Sequence, residues 1–212
     1  MLREVATGAG GCVSAAAAPS GAVEILHVLA GSGTLWVGND TVELIPGRSV
    51  VIPSDARFRS RAGAEGLRLL AATVPGRAGA LSVTDRPADP VVVAPDGSGV
   101  RPLARTPDDS GSLAEFELAP GETSKPVRHY ELDEIWFFVA GSGEMWLDGG
   151  DPVAVEPGTA LTIPARVAFQ FRNRGEVPLR IVGLTLPAWP LDRPESEVVE
   201  TAVSGPWSSS LG

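Results

Sequence analysis

The sequence predicts an all-β chain built as two tandem barrels, and three observations carry that expectation. The chain repeats itself: Glu24-Ile25, Ala30-Gly31-Ser32-Gly33 and Trp36 return 110 residues later as Glu134-Ile135, Ala140-Gly141-Ser142-Gly143 and Trp146. Glycine and proline, 25 and 19 of 212 residues, punctuate the chain throughout. Between them lie short runs rich in Val, Ile, Leu, Phe and Trp, with helical patterning nearly absent. Short strands at even spacing with turn signals between them read as a sandwich or barrel, and the repeat doubles it.

The offset drifts along the repeat. Pro46-Gly47, Ile52-Pro53 and Phe58 return at 111 as Pro157-Gly158, Ile163-Pro164 and Phe169, and Leu67-Arg68, Thr73 and Pro75 at 112 as Leu179-Arg180, Thr185 and Pro187. Growth by one at turn-like places indicates a duplicated domain with single-residue loop changes. Apolar runs predict strands at 23–29, 35–37, 49–52 and 67–74 in the first half, and at 135–139, 144–147, 160–163, 169–172 and 179–186 in the second. Ala-Gly-Ser-Gly in each half reads as a tight hairpin, since glycine supplies positive φ. Gly38-Asn39-Asp40 and Gly149-Gly150-Asp151 read as the next turn in each copy. The first barrel is expected over 1–78, a linker over 79–90 and the second barrel over 91–188, opened by strands near 91–93 and 100–103. Residues 189–212 form a tail whose Trp189 and Trp207 argue that it packs against something.

Composition narrows the function classes. Apolar content of 43% and a mean hydropathy of +0.11 are ordinary for a globular protein. The net charge is −9 and Lys125 is the single lysine, which disfavours nucleic acid as a partner. No apolar run approaches the roughly 20 residues that span a bilayer, so no membrane partner is expected. Met1-Leu2-Arg3-Glu4 lacks a basic stretch followed by an apolar core, and the lone Cys12 excludes an internal disulfide. A cytoplasmic location is expected, with Cys12 as a small buried residue.

The second half carries the chemistry. Gly121, His129, Glu134 and Gly141 are followed by Gly158, Pro164, Phe169 and Asn173. This spacing resembles the cupin superfamily, whose first motif is Gly, five residues, His-x-His, three or four residues, Glu, six residues, Gly. Its second motif is Gly, five residues, Pro-x-Gly, two residues, His, three residues, Asn. The resemblance implies two cupin barrels (double-stranded β-helix, or jelly roll), a bicupin, with a divalent metal held by three histidines and a glutamate. This sequence departs from that set. Val127 stands at the first histidine position and Phe169 at the last, leaving His129 and Glu134 as the remaining metal positions. In the first half the corresponding residues are Ala17, Pro19, Glu24 and Phe58, so only Glu24 remains. Open catalytic metal sites carry three protein ligands, so no cofactor is expected. The alternative is Fe, Ni, Mn, Cu or Zn on a reduced set.

His129 and Glu134 can also act without metal. A buried carboxylate–imidazole pair tunes both groups as acid and base; the same pair is equally compatible with a structural role. Glu131, two residues along the strand, is expected to share the face as a third catalytic group or ligand. Val127, Trp136, Phe138, Phe169 and Phe171 are expected to line the same cavity, an apolar pocket suited to a mid-sized organic ligand. His27 is out of phase with Glu24 and is expected to face outward, and Arg57, Arg59 and Arg61 form a solvated or interface patch. Glu24 is either a relic or binds a backbone NH. The leading expectation is a small-molecule enzyme of secondary metabolism. It would carry out acid–base elimination, isomerisation or cyclisation (a lyase, isomerase or cyclase) on an apolar or aromatic, polyketide-like substrate, as a monomer or homodimer. The alternatives are a metal-dependent bicupin dioxygenase and a non-catalytic small-molecule-binding protein.

Overall fold

The computed structural model describes residues 1–17, 20–77, 79–193 and 203–211. Pro19 lies outside the described residues, as does the side chain of Ala17. The fold is all-β, with no helix among the described residues, and no helix is long and apolar enough to cross a membrane. Its first seven strands are β1 (Leu2–Thr7), β2 (Cys12–Ala17), β3 (Ala22–Val37), β4 (Asp40–Leu44), β5 (Arg48–Ile52), β6 (Arg57–Pro75) and β7 (Ser82–Asp85). Ten more follow: β8 (Val92–Val93), β9 (Gly99–Arg105), β10 (Ser112–Leu118), β11 (Val127–Arg128), β12 (Asp133–Ala140), β13 (Gly143–Leu147), β14 (Val153–Val155), β15 (Ala160–Ile163), β16 (Ala168–Asn173) and β17 (Leu179–Leu186).

Two compact units divide the chain. The first is Met1–Arg86 with Leu103–Ser112, and the second is Pro87–Pro102 with Leu113–Gly212. Leu103–Ser112, the far end of the β9–β10 hairpin, groups with the first unit. In the first unit the sheet runs β1-β6-β3-β5-β7, with β2 on β6 and β4 on β3. Leu26, Val28, Leu35, Leu44, Val50 and Ile52 fill its interior. In the second unit a six-stranded sheet, β15-β12-β17-β10-β9-β8, and a four-stranded sheet, β11-β16-β13-β14, enclose the core. Trp136, Phe138, Leu179 and Ile181 from the first of these sheets pack with Met145, Val155, Phe169 and Phe171 from the second. This is the jelly-roll arrangement, built on inward side chains at every second position.

The Ala-Gly-Ser-Gly segments are corners, not hairpins. β12 pairs with β15 and β17, whereas β13 pairs with β14 and β16, so the chain crosses from one sheet to the other at Gly141-Ser142. In the first unit β3 runs through the same segment unbroken, with register shifts at Val28/Ala30 and Gly31/Gly33. Glycine is required there by close backbone approach. A Cβ on Gly31 (φ 75°) would lie 2.2 Å from the Gly66 carbonyl oxygen, and one on Gly141 (φ 78°) 2.6 Å from that of Pro178. The next turns fall as expected: Val37 pairs with Asp40 around Gly38 (φ 57°), and the Gly150 amide donates to the Leu147 carbonyl beside Gly149 (φ 82°).

Two single-residue expectations fail. His27 is buried, because both faces of β3 are covered over residues 22–28. Its Nδ1 lies 2.9 Å from Ser49 Oγ on the paired strand. Cys12 is exposed at the start of β2. Arg57, Arg59 and Arg61 are exposed at alternate positions of β6, with the Arg59 guanidinium 4.8 Å above the Trp36 ring. The tail packs where it is described. Gln170 Nε2 donates to the Trp207 carbonyl at 2.9 Å, and Arg172 lies 4.3 Å over the Trp207 ring. The Ser210 amide donates to the Thr123 carbonyl, and Leu211 packs against Gly97 so closely that a Cβ there would meet it at 2.5 Å.

Replacing Gly141 with Ala combines left-handed strain with a backbone clash and is expected to cost at least ~2 kcal/mol. Gly150→Ala, where the nearest atom to an added Cβ is 3.5 Å away, is expected to leave stability nearly unchanged. Urea unfolding of both variants compares these costs directly.

Candidate functional site

The site is assembled on one turn. His129 follows the two-residue strand β11, in which Val127 pairs with Phe169. Its carbonyl accepts the Arg166 amide at 2.9 Å, and Asp133 Oδ1 accepts the Ala165 amide at 2.9 Å. The turn after β15, with Arg166 at φ 69°, thus pins both the residue at the end of β11 and the residue that opens β12. Between them the chain bends at Tyr130 and Glu131, which breaks the strand alternation. Glu131 is exposed and does not join the cavity, contrary to the expectation that it shares the face of His129.

On β12, Glu134, Trp136 and Phe138 project to one side and are almost wholly buried. Glu134 sits opposite Ile163 on β15 and Thr185 on β17. Its Oε2 accepts the Trp136 indole N–H at 3.0 Å and lies 3.6 Å from His129 Nε2. The predicted His129–Glu134 pair is therefore present. Aromatic rings surround it: Phe169 is 5.5 Å from the His129 ring and 5.3 Å from Trp136, edge to face. Val127, Trp136 and Phe169 line the cavity beside the pair. Phe138 and Phe171 do not; they stand against Trp136 at 6.5 and 5.1 Å as core behind the wall. The cavity is small, about 10 Å³ of free space for the centre of a water-sized sphere, which holds about one water.

Five wall residues escaped the sequence reading: Ala94, Pro95, Asp96, Phe116 and Trp189. Phe116 on β10 stacks on Trp136 at 5.4 Å, and Trp189, just beyond β17, meets Phe116 edge-on at 6.4 Å. Asp96, in the β8–β9 turn, is buried on the same cavity. Ser98 donates to its Oδ1 from the amide at 2.8 Å and from the hydroxyl at 2.7 Å. Asp96-Gly97-Ser98 is a turn that an aspartate side chain closes on the amide two residues on. That signal was present in the sequence, but nothing local says that the turn reaches the cavity.

Burial pushes the Glu134 carboxyl up to about 8; the Asp96 charge adds to the rise, and the Trp136 N–H opposes it. Burial also raises Asp96, against its Ser98 hydrogen bonds and the Lys125 charge. The equivalent first-unit residue is treated in the opposite way. Glu24 holds the same register, opposite Ile52 and Thr73, yet Arg3 Nη2 and Thr73 Oγ1 both donate to it. Glu24 is a salt-bridged structural group.

The donor set does not fit the family's metal. Val127 and Phe169 fill two ligand positions with carbon, and among the described residues no three His, Cys, Asp or Glu groups converge as a metal site. Two protein donors fall short of the three that open metal sites carry.

The pH dependence of stability follows from Glu134. The unfolded chain releases this proton near the ordinary value of 4.5 and the folded chain near 8, so the folded state binds more protons in that window. Its contribution to stability is therefore expected to decline as pH rises through that window, and to level off above it. The difference in unfolding free energy between wild type and Glu134→Gln, followed by urea titration at several pH values, isolates this slope.

The comparisons with known proteins agree with this architecture. A family model described as "Cupin domain" matches residues 114–185. An uncharacterized protein of Methanocaldococcus jannaschii is 32% identical over 108 residues, covering 50% of this chain and 84% of that protein. The tetracenomycin polyketide synthase protein TcmJ of Streptomyces glaucescens is 35% identical over 92 residues, 43% of this chain; the match spans only 60% of TcmJ. Among solved structures, AerE from Microcystis aeruginosa superimposes with a TM-score of 0.74 at 12% identity, covering 87% of this chain and 86% of AerE. A Bacillus subtilis oxalate decarboxylase superimposes at 0.69 and 11% identity over 88% of this chain and 68% of the enzyme. With sheets, register and family motif in agreement, the second unit carries a cupin domain over residues 114–185.

Proposed function

We propose that this chain is a small-molecule enzyme of secondary metabolism, a bicupin with degenerate metal motifs whose second unit performs proton transfer without a divalent metal. The reaction is an elimination, isomerisation or cyclisation of an apolar or aromatic, polyketide-like substrate. The observation that carries this reading is Glu134: a carboxyl buried in an aromatic cavity, in contact with His129 and retaining its proton up to about pH 8. A carboxyl of that kind is a general acid at neutral pH. The bicupin reading is supported by the shared register, in which Glu24 and Glu134 face corresponding residues in the two units. The substrate class is supported by the similarity to a polyketide synthase protein and by the rings that line the site. A ring-sized substrate displaces wall side chains on entry, and Trp189 and Asp96 are wall residues that stand outside the strands.

The aromatic ketone 2-tetralone serves as a probe, with deuterium uptake next to its carbonyl in D2O followed by mass spectrometry and no metal added. Wild type is expected to accelerate uptake over buffer, and His129→Ala and Glu134→Gln each to lose ~100-fold or more, the usual worth of one acid–base group. Variants as fast as wild type, with binding retained by Trp fluorescence, identify a binding protein instead. Elemental mass spectrometry of the purified protein is expected to find metal far below one per chain and unchanged in His129→Ala. Stoichiometric metal that falls in the variant would restore the metalloenzyme.

A further inference from the structure

Asp96 reaches the cavity from outside the repeated segment that carries His129 and Glu134. It is 5% exposed, and the turn that presents it is fixed at several points. Ser98 holds Oδ1 through two hydrogen bonds, and the Lys125 amide donates to the Asp96 carbonyl at 2.8 Å. Both side-chain bonds fall on one oxygen; Oδ2 accepts none from a described residue. Glu134 shows the same pattern. Trp136 and His129 approach Oε2, and Oε1 accepts no hydrogen bond from a described residue. Two carboxyl groups on one small cavity thus each keep an oxygen uncommitted. An acceptor oxygen with no protein donor is open to a substrate or water that donates to it.

The first unit provides the contrast. There Glu24 meets the Arg3 guanidinium and Thr73, and both of its oxygens are engaged. In the second unit the partner across the cavity is a carboxylate. A like charge across the cavity strengthens neither fold nor packing.

We propose that Asp96 is a catalytic residue of this site. Its Oδ2 accepts a proton from the substrate while Glu134 delivers one to a substrate oxygen. The inference rests on the acid–base reading above and deepens it. In the step, the C–H bond next to a carbonyl breaks and its proton goes to Asp96. Its electron pair forms the new C=C bond, and the carbonyl π pair takes the Glu134 proton, giving an enol. Asp96 ends neutral and Glu134 ionised, and the reverse step restores both, so no oxidant or reductant is needed. The chemistry selects a ketone with an acidic hydrogen next to the carbonyl, or the matching enol or phenol. The aromatic walls favour one fused to a ring.

The 2-tetralone assay separates this role from the broader reading. Asp96→Asn keeps an oxygen for Ser98 and is expected to bind the probe as wild type does while losing ~100-fold or more in exchange rate. Asp96→Glu retains the base one methylene further out and is expected to recover part of the rate. If Asp96→Asn exchanges at the wild-type rate while His129→Ala and Glu134→Gln are inactive, Asp96 has no such role and the acid–base reading stands. If Asp96→Asn and Asp96→Glu both fold and lose equally, the residue only supports the loop and the proposal falls. Wild type no faster than buffer, or all variants as fast as wild type, overturns both.

Discussion

Burying a carboxyl on the inner face of a β-sheet is the constraint around which both units are organised. A glutamate occupies the same strand position twice, opposite an isoleucine on one neighbour and a threonine on the other. An ionised carboxylate is expensive there unless it is paired. The first unit pairs it: β1 lies against β6, which brings Arg3 to Glu24. The rest of that interior is aliphatic packing around Phe58. The second unit leaves its glutamate without a guanidinium and surrounds it with aromatic rings, an imidazole and another acid. One register therefore holds two kinds of glutamate, one in an ion pair and one buried among rings with its carboxyl shifted up.

His129 and Asp133 are held by a turn and not by strand pairing alone. The turn at 164–167 holds the His129 carbonyl and the Asp133 carboxylate, so the two residues that flank the exposed bend at 130–131 have fixed positions. Replacement of two family ligands by Val127 and Phe169 does more than remove donors. It places a ring beside His129, in a site where burial raises the Glu134 carboxyl.

Much of this was legible in the sequence, because internal repetition and two-residue alternation survive without any knowledge of pairing. The strands with long apolar runs, the inward set Glu134, Trp136 and Phe138, and the contact with His129 follow from those two patterns, whereas β1, β2, β4, β7, β10 and β14 match no predicted run. What escaped depends on long-range contacts. Ala-Gly-Ser-Gly looks like a hairpin until it is seen that the strands on either side of it join different sheets. His27 was given the correct face of its strand, but that face is covered. Glu131 follows alternation only if the strand continues, and it bends instead. Asp96 and Trp189 belong to segments with no strand pattern, and only the folded chain brings them to the cavity.

The contact between Leu211 and Gly97 links the two ends of the second unit. Gly97 is the neighbour of Asp96, and its backbone leaves no room for a side chain because Leu211 fills that space. The turn carrying a cavity acid is therefore braced by a residue more than a hundred positions away in sequence. The tail that supplies the brace is itself held by Gln170, Arg172 and Thr123 on the outside of the sheet. Variation in the tail can thus reshape the cavity while every cavity residue stays the same. The shape of the cavity is thus set in part by residues that never touch it.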